Sequence, residues 1–247
     1  MDKVKLKKHV DQLIREYTQR NSRSKELFEN AQRSMPGGNT RTGVYFSPFP
    51  IYLERGDGSV VYDADGHALL DFMNNNTALI LGHAHPAVVE AVRKQVSHGT
   101  GFNRPTELEI VMAELLCERI PSVETVRFCN SGTEALICAI RAAKGFTGKP
   151  KIAKFEGAYH GSGEYAQISH VPPLGPELGP ADRPASVASS PGVTESIVDE
   201  VIVLPFNDPE SCARIIQESA DQLAAVVVDP ISTGAGFTLP QNNFLSI

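Results

Sequence analysis

Residues Asn130-Ser131-Gly132-Thr133-Glu134-Ala135 join an apolar run, Val126-Arg127-Phe128-Cys129, to a stretch of helical spacing from Glu134 to Phe146. A glycine-hydroxyl turn that opens a helix suits an anion. Its unpaired backbone N–H groups point outward, and the helix dipole favours negative charge there. Ser131 and Thr133 add hydroxyl donors, and Gly132 lets the backbone approach a phosphate closely. The same residues also read as an ordinary helix cap, because Ser131 with Glu134 three residues on fits the capping box.

Further residues with chemical capacity stand at the ends of apolar runs. Lys151-Ile152-Ala153-Lys154-Phe155 reads as a short strand that delivers Glu156-Gly157-Ala158-Tyr159-His160-Gly161. Ala224-Ala225-Val226-Val227-Val228 reads as a buried strand ending at Asp229-Pro230. A tyrosine at a strand end offers a flat apolar face with a polar tip, suited to a ligand ring and to plain packing alike. His83 and His85 lie one residue apart, but no third ligand of matching type is near, so no metal is expected. Gly161-Ser162-Gly163-Glu164-Tyr165-Ala166 matches G-x-G-x-x-A, with Asp182 about twenty residues on, as a dinucleotide fingerprint asks. Its context is wrong for a nicotinamide-dependent oxidoreductase: the match does not close directly onto a strand, and prolines follow where a helix is needed. A nucleophile elbow, G-x-S-x-G, is absent around Ser162, which removes the main feature of a hydrolase.

The elements that must position these residues follow from periodicity. The first 35 residues read as peripheral helix, with Val10, Leu13, Ile14 and Tyr17 on one side. After the break at Met35-Pro36-Gly37-Gly38-Asn39, Ile51–Glu54, Val60–Asp63 and Ala68–Phe72 form a small antiparallel meander. Pro86 suits the first turn of a helix carrying Val88, Val89, Val92 and Val96. A second helix, Glu107 to Arg119, places Leu108, Val111, Met112, Leu115 and Leu116 on an inner face. Strands and helices then alternate over 125–129, 134–146, 151–155, 200–204, 209–222 and 224–229. This predicts an α/β fold, a mostly parallel sheet with helices on both faces. Ligands in such folds bind beyond the carboxyl ends of the strands, where the 131–133 turn, Tyr159 and Asp229 fall. Residues 171–199, rich in proline and glycine, interrupt the alternation as a long structureless connection of the kind that serves as a lid, a binding loop or a disordered insertion.

Composition narrows the class. The chain has 247 residues, enough for a large core, and a net charge of −6, which gives no support to nucleic-acid binding. No run is long and apolar enough to span a bilayer, and the acid-containing N-terminus makes a poor transit or signal peptide. Cys117, Cys129, Cys138 and Cys212 lack metal-ligand spacing, and a reduced, cytoplasmic protein is the simplest reading.

Five spaced motifs, Gly82-His83-Ala84-His85-Pro86, Pro105-Thr106-Glu107-Leu108-Glu109, Asn130–Ala135, Glu156–Gly161 and Asp229-Pro230, stand in an order that resembles the class III aminotransferases. This pyridoxal-phosphate (PLP) group includes glutamate-1-semialdehyde 2,1-aminomutase, and the resemblance runs from about Ser34 to the end. It implies a PLP-dependent transferase of fold type I, with 1–72 an N-terminal helix and meander of a small domain and 73–247 the N-terminal portion of an incomplete large domain. It implies that Ser131, Gly132 and Thr133 bind the cofactor phosphate, that Tyr159 packs on its ring, and that His160 follows as the motif requires. Arg41 falls where relatives hold a substrate carboxylate, a task that suits a planar permanent charge. Asn76 falls where the aminomutases carry an active-site aromatic, and Gly234 where they place an asparagine. Asp229 keeps the carboxylate of the usual Glu-Pro, one methylene shorter. The histidine pair is structural in this family.

The resemblance further implies a Schiff-base lysine beyond Asp229-Pro230, together with an acidic motif that protonates the pyridine nitrogen. The last lysine here is Lys154, so no catalytic lysine is expected in this chain. The expected activity is transfer of an amino group between an amino acid or amine and a carbonyl compound, or within one molecule, by a homodimeric parent of which this chain is an inactive fragment. The alternative is a non-catalytic relative acting as an interaction module. The expected partner is a small amino compound, with neither nucleic acid nor membrane.

Overall fold

The computed structural model describes residues 3–172 and 174–246. The chain divides into two compact units, Met1–Glu107 and Leu108–Ile247.

In the first unit, α1 (Lys3–Arg20) and α2 (Ser22–Ala31) precede an antiparallel sheet of β1 (Leu53–Asp57), β2 (Val60–Asp63) and β3 (Ala68–Leu70) in that order. Tyr17 donates its hydroxyl to the Phe49 carbonyl at 2.8 Å, and both carboxylate oxygens of Asp65 accept from the first amides of α2, Arg23 and Ser24. A cavity of about 500 Å³ lies here, bordered by Leu13, Tyr17, Phe46, Ile51 and Leu69. A distorted turn, α3 (Asn74–Thr77), holds four consecutive residues at positive φ, tolerable because three are asparagines. α4 (Pro86–Val96) begins at its proline as expected.

The second unit opens with α5 (Glu107–Arg119) and then builds a parallel sheet, β5 (Val201–Leu204), β4 (Lys151–Phe155), β6 (Leu223–Val227), with β4 in the centre. The two-residue period of β4 sorts its side chains. Ala153 and Phe155 pack with Leu204, Cys212, Ile215 and Phe244, on the face covered by α8 (Pro209–Glu218). Ile152 packs with Val201, Val203, Ile168 and Ile140, on the face covered by α6 (Gly132–Thr147). Helices thus cover both faces of this sheet. Capping sets their ends: Ser131 starts α6, Gly148 at φ +69° closes it, and Asp208 ahead of Pro209 starts α8. The short α7 (Glu195–Asp199) leads into β5, where Glu200 takes Lys144 of α6 and the hydroxyl of Tyr165.

Three expectations are corrected. Residues 125–129 form no strand: a strand exists through a neighbour's hydrogen bonds, and no ladder partner faces this run among the described residues. The apolar stripe of α5 is not an inner face here, since Leu108, Val111, Met112 and Leu115 are all exposed. The 171–199 segment is not structureless. It carries a 3-10 turn at Pro176–Leu178 and α7, and its middle returns to residues 167–170, with Ser189 donating to the Gln167 carbonyl and Ser169 to that of Val187. Pro173 lies outside the described residues.

Candidate functional site

The N-terminus of α6 and the turn after β4 meet in the second unit. Ser131 caps α6 by accepting from the Glu134 amide at 3.2 Å, while Glu134 turns its carboxylate back onto the Asn130 amide at 2.8 Å. The capping reading therefore holds, and it does not exhaust the residue. Ser131 Oγ uses a lone pair for the cap and keeps its proton to donate. Thr133 is in the same position: its Oγ1 accepts from the Ser162 amide at 3.0 Å. The amides of Gly132 and Thr133 find no acceptor among the described residues. A Cβ placed on Gly132 would meet only open space, so a ligand has access to the backbone there.

The bond from Ser162 brings the 156–162 turn onto this helix end. Contact is close: a Cβ on Gly161, whose φ is +94°, would lie 2.5 Å from Thr133 Oγ1. Gly157 at φ +73° reverses the chain after β4, a conformation that disfavours other residues. Tyr159 follows with 53% of its surface exposed, and its ring centroid is 5.0 Å from that of His170. The Ser232–Phe244 segment forms one wall: Gly234 approaches Tyr159 so closely that a Cβ would sit 3.3 Å from the tyrosine's own. Phe244 anchors this segment in an aromatic trio with Phe155 and Phe206.

Two basic groups lie beneath this surface. Lys154 is 1% exposed and donates to the Ile168 carbonyl at 2.6 Å. Burial pushes its pKa down to about 8. His160 is pushed down to about 4, mainly by burial and then by the charge of Lys154, with Asp229 opposing. It is a neutral imidazole at neutral pH. Its Nε2 is buried with no partner among the described residues, an open position in a site where polar atoms are normally satisfied.

The structure gathers Ser131, Gly132, Thr133, Tyr159 and His160 within one unit. Arg41 and Asn76 belong to the other. There, Arg41 donates to Asn75 at 3.2 Å, and Asn76 sits in the left-handed turn at φ +56°. His83 is pinned between strand and loop, with Nε2 2.6 Å from Asp71 and its backbone paired with Gly58. No group of metal-binding side chains occurs among the described residues. The G-x-G-x-x-A match ends in a short 3-10 turn, Glu164–Gln167, instead of the helix a dinucleotide site needs. Sequence reasoning missed His170, Ser169 and the role of Lys154. The first two lie just ahead of the proline-rich stretch and carry no motif; the lysine's only signal was a charge inside an apolar strand.

The sequence model of aminotransferase class-III matches residues 43–247. The chain belongs to the class III aminotransferase family. Among curated relatives, it is 43% identical over 226 residues to glutamate-1-semialdehyde 2,1-aminomutase 2 of Bacillus licheniformis, covering 90% of this chain and 51% of that protein. Among solved structures it resembles an omega-transaminase from Sphaerobacter thermophilus (TM-score 0.86, 48% identity, 90% of this chain and 50% of that one). It also resembles a transaminase solved with PLP bound (TM-score 0.84, 42% identity, 92% and 51%). The chain spans about half the length of the relatives it matches. These transaminase structures share the α/β fold with its parallel sheet described above. No described helix is long and apolar enough to cross a membrane.

Proposed function

We propose that this chain contributes the phosphate and ring side of a PLP site, and that the full-length protein transfers an amino group between an amino acid or amine and a carbonyl compound, or within one molecule. The observation that carries this reading is the Thr133–Ser162 hydrogen bond, which sets a helix end with free donors beside an exposed tyrosine. The residues fit the group. Ser131 and Thr133 donate hydroxyl protons to the phosphate, and Gly132 supplies an amide in open space. Tyr159 would pack on the ring, and His160, kept neutral by burial, would add no charge of its own to the site. When bound, the cofactor supplies an electron sink for loss of the proton beside the substrate nitrogen. Arg41 is proposed to hold a substrate carboxylate, with Asn76 near it. Residues 1–72 are assigned to the small domain and 73–247 to the large one. A homodimeric, cytoplasmic parent is consistent with the family and with four free cysteines.

The transaminase and the aminomutase among the relatives leave both outcomes as proposals, intermolecular transfer and internal rearrangement. Asn76 and Gly234, which replace residues expected of aminomutases, favour transfer.

The chain by itself is proposed not to turn over. No lysine follows Lys154, and the Lys154 amine is buried on a carbonyl. Titration with PLP, then borohydride reduction and peptide mapping, tests both statements. Saturable PLP binding without a stoichiometric lysine adduct is expected, and NADH should not compete. Absence of PLP binding sinks the cofactor reading. A single stoichiometric adduct accompanied by turnover sinks the inactivity.

A further inference from the structure

We propose that His170 is a positioning residue for Tyr159, holding the tyrosine ring at the tilt from which it faces the cofactor. This rests on the cofactor reading above and deepens it. Tyr159 is half exposed and lies just beyond a left-handed glycine turn, so its backbone alone leaves the ring free to rotate. Its ring contact among the described residues is with His170, at 5.0 Å between centroids and 51° between planes.

The backbone that carries the imidazole is held firmly. The His170 backbone N–H donates to Ser189 Oγ at 3.0 Å. Its neighbour Ser169 is fully buried at φ +47° and makes four hydrogen bonds. The Ser169 amide donates to the Val187 carbonyl at 2.7 Å, and its hydroxyl donates to that of Ala185 at 3.0 Å. Its Oγ accepts from the Val187 amide at 3.0 Å, and its carbonyl accepts from the Gly157 amide at 2.7 Å. That last bond ties the strip directly to the turn carrying Tyr159. One residue earlier, the Lys154 ammonium clamps the Ile168 carbonyl to β4. A left-handed serine is costly, and it persists here because these bonds over-determine it. A surface loop with no task has no need of this bracing. The bracing fixes the backbone of His170 beside the turn that carries Tyr159, and the two rings are in contact there. Burial and then the nearby Lys154 charge both disfavour the imidazolium.

The test uses the 247-residue chain with PLP as the probe and inorganic phosphate as competitor, read by induced circular dichroism of the cofactor band. Tyrosine ring resonances are followed in parallel. His170→Ala is expected to weaken PLP binding about three- to tenfold, the scale of a lost aromatic pair, and to shrink the induced band and shift the Tyr159 resonances. Affinity for inorganic phosphate is expected to stay unchanged. His170→Phe is expected to restore the band. Ser189→Ala, which loosens the strip without touching either ring, is expected to move the band in the same direction by less. If His170→Ala fails to fold, Ser189→Ala carries the test, with His170→Phe as the control that keeps the band. The proposal is overturned if the band and the Tyr159 resonances ignore both His170→Ala and Ser189→Ala, or if phosphate affinity falls in parallel with PLP affinity, which marks general loosening. If the parent chain binds no PLP at all, the cofactor reading falls first and this inference with it.

Discussion

At Ser131 one hydroxyl serves two purposes, and substitution separates them. The oxygen caps α6 through the Glu134 amide, and the proton remains for an anion. Ser131→Ala removes both and should cost about 1 kcal/mol of stability, the usual scale for a lost cap. Ser131→Asp keeps a capping oxygen and places a fixed negative charge where the phosphate is proposed to sit. Aspartate caps helices as well as serine does and favours the dipole. The expected outcome is a chain with an unchanged or slightly higher denaturation midpoint that no longer binds PLP. Equilibrium urea unfolding and PLP titration of the same sample check the pair. Retained PLP affinity in Ser131→Asp would mean that the turn is a cap and nothing more. Thr133 does not offer so clean a split, because its side chain also receives the Ser162 amide and so holds the 156–162 turn in place.

At the scale of elements, β4 carries a cost that the pH dependence should reveal. Its Lys154 has a pKa near 8 when folded and an ordinary lysine value when unfolded. Between those values the unfolded chain binds more protons, so this group makes stability rise with pH from about 8 upward and weakens the fold at neutral pH. Cys212, pushed up to about 11, and Tyr17, pushed up to about 12, act in the opposite sense where they titrate. The measurement is therefore a difference: stability at pH 9.5 minus that at pH 7.5 should be larger for the parent than for Lys154→Met, by roughly 1–2 kcal/mol. Equal differences would show that the buried amine is not depressed. The same strand marks how far sequence pattern reaches. The helices 86–96, 107–119 and 132–147 and the strands 151–155, 201–204 and 223–227 were legible because periodicity, caps and apolar runs are local properties. The turn at Ser131, Gly132 and Thr133 was legible as a helix start because capping is set by neighbouring residues. The 125–129 run misled because a strand depends on a neighbour. Ser169 and His170 stayed hidden because their conformation is set by residues 185–189, on the far side of a proline-rich excursion.

Over the whole chain, apolar surface without a cover is the dominant physical fact. On α5, Leu108, Val111, Met112 and Leu115 recur at helical spacing and are 58%, 52%, 45% and 37% exposed. Residues spaced three, four and seven apart share one side of a helix, so these four form a continuous stripe. On α4, Val88, Val92 and Val96 form another. Stripes of this kind normally lie against protein, and leaving these half-exposed side chains in water forgoes on the order of 1 kcal/mol each. A chain spanning half the length of its relatives carries faces whose cover is not supplied from within either compact unit. Self-association through such faces follows, since exposed contiguous apolar patches drive non-specific contact. Light scattering on the isolated chain should therefore give a mass above 26.7 kDa that grows with concentration. Val111→Lys together with Leu115→Lys places two like charges on the α5 stripe at a cost of little packing, because neither side chain is buried. The double variant should move the mass towards 26.7 kDa while the far-ultraviolet circular dichroism stays unchanged. A parent chain that is monomeric at all concentrations would show that the stripes are covered in solution. The α5 side chains would then have to pack in a way that this arrangement of helices does not contain.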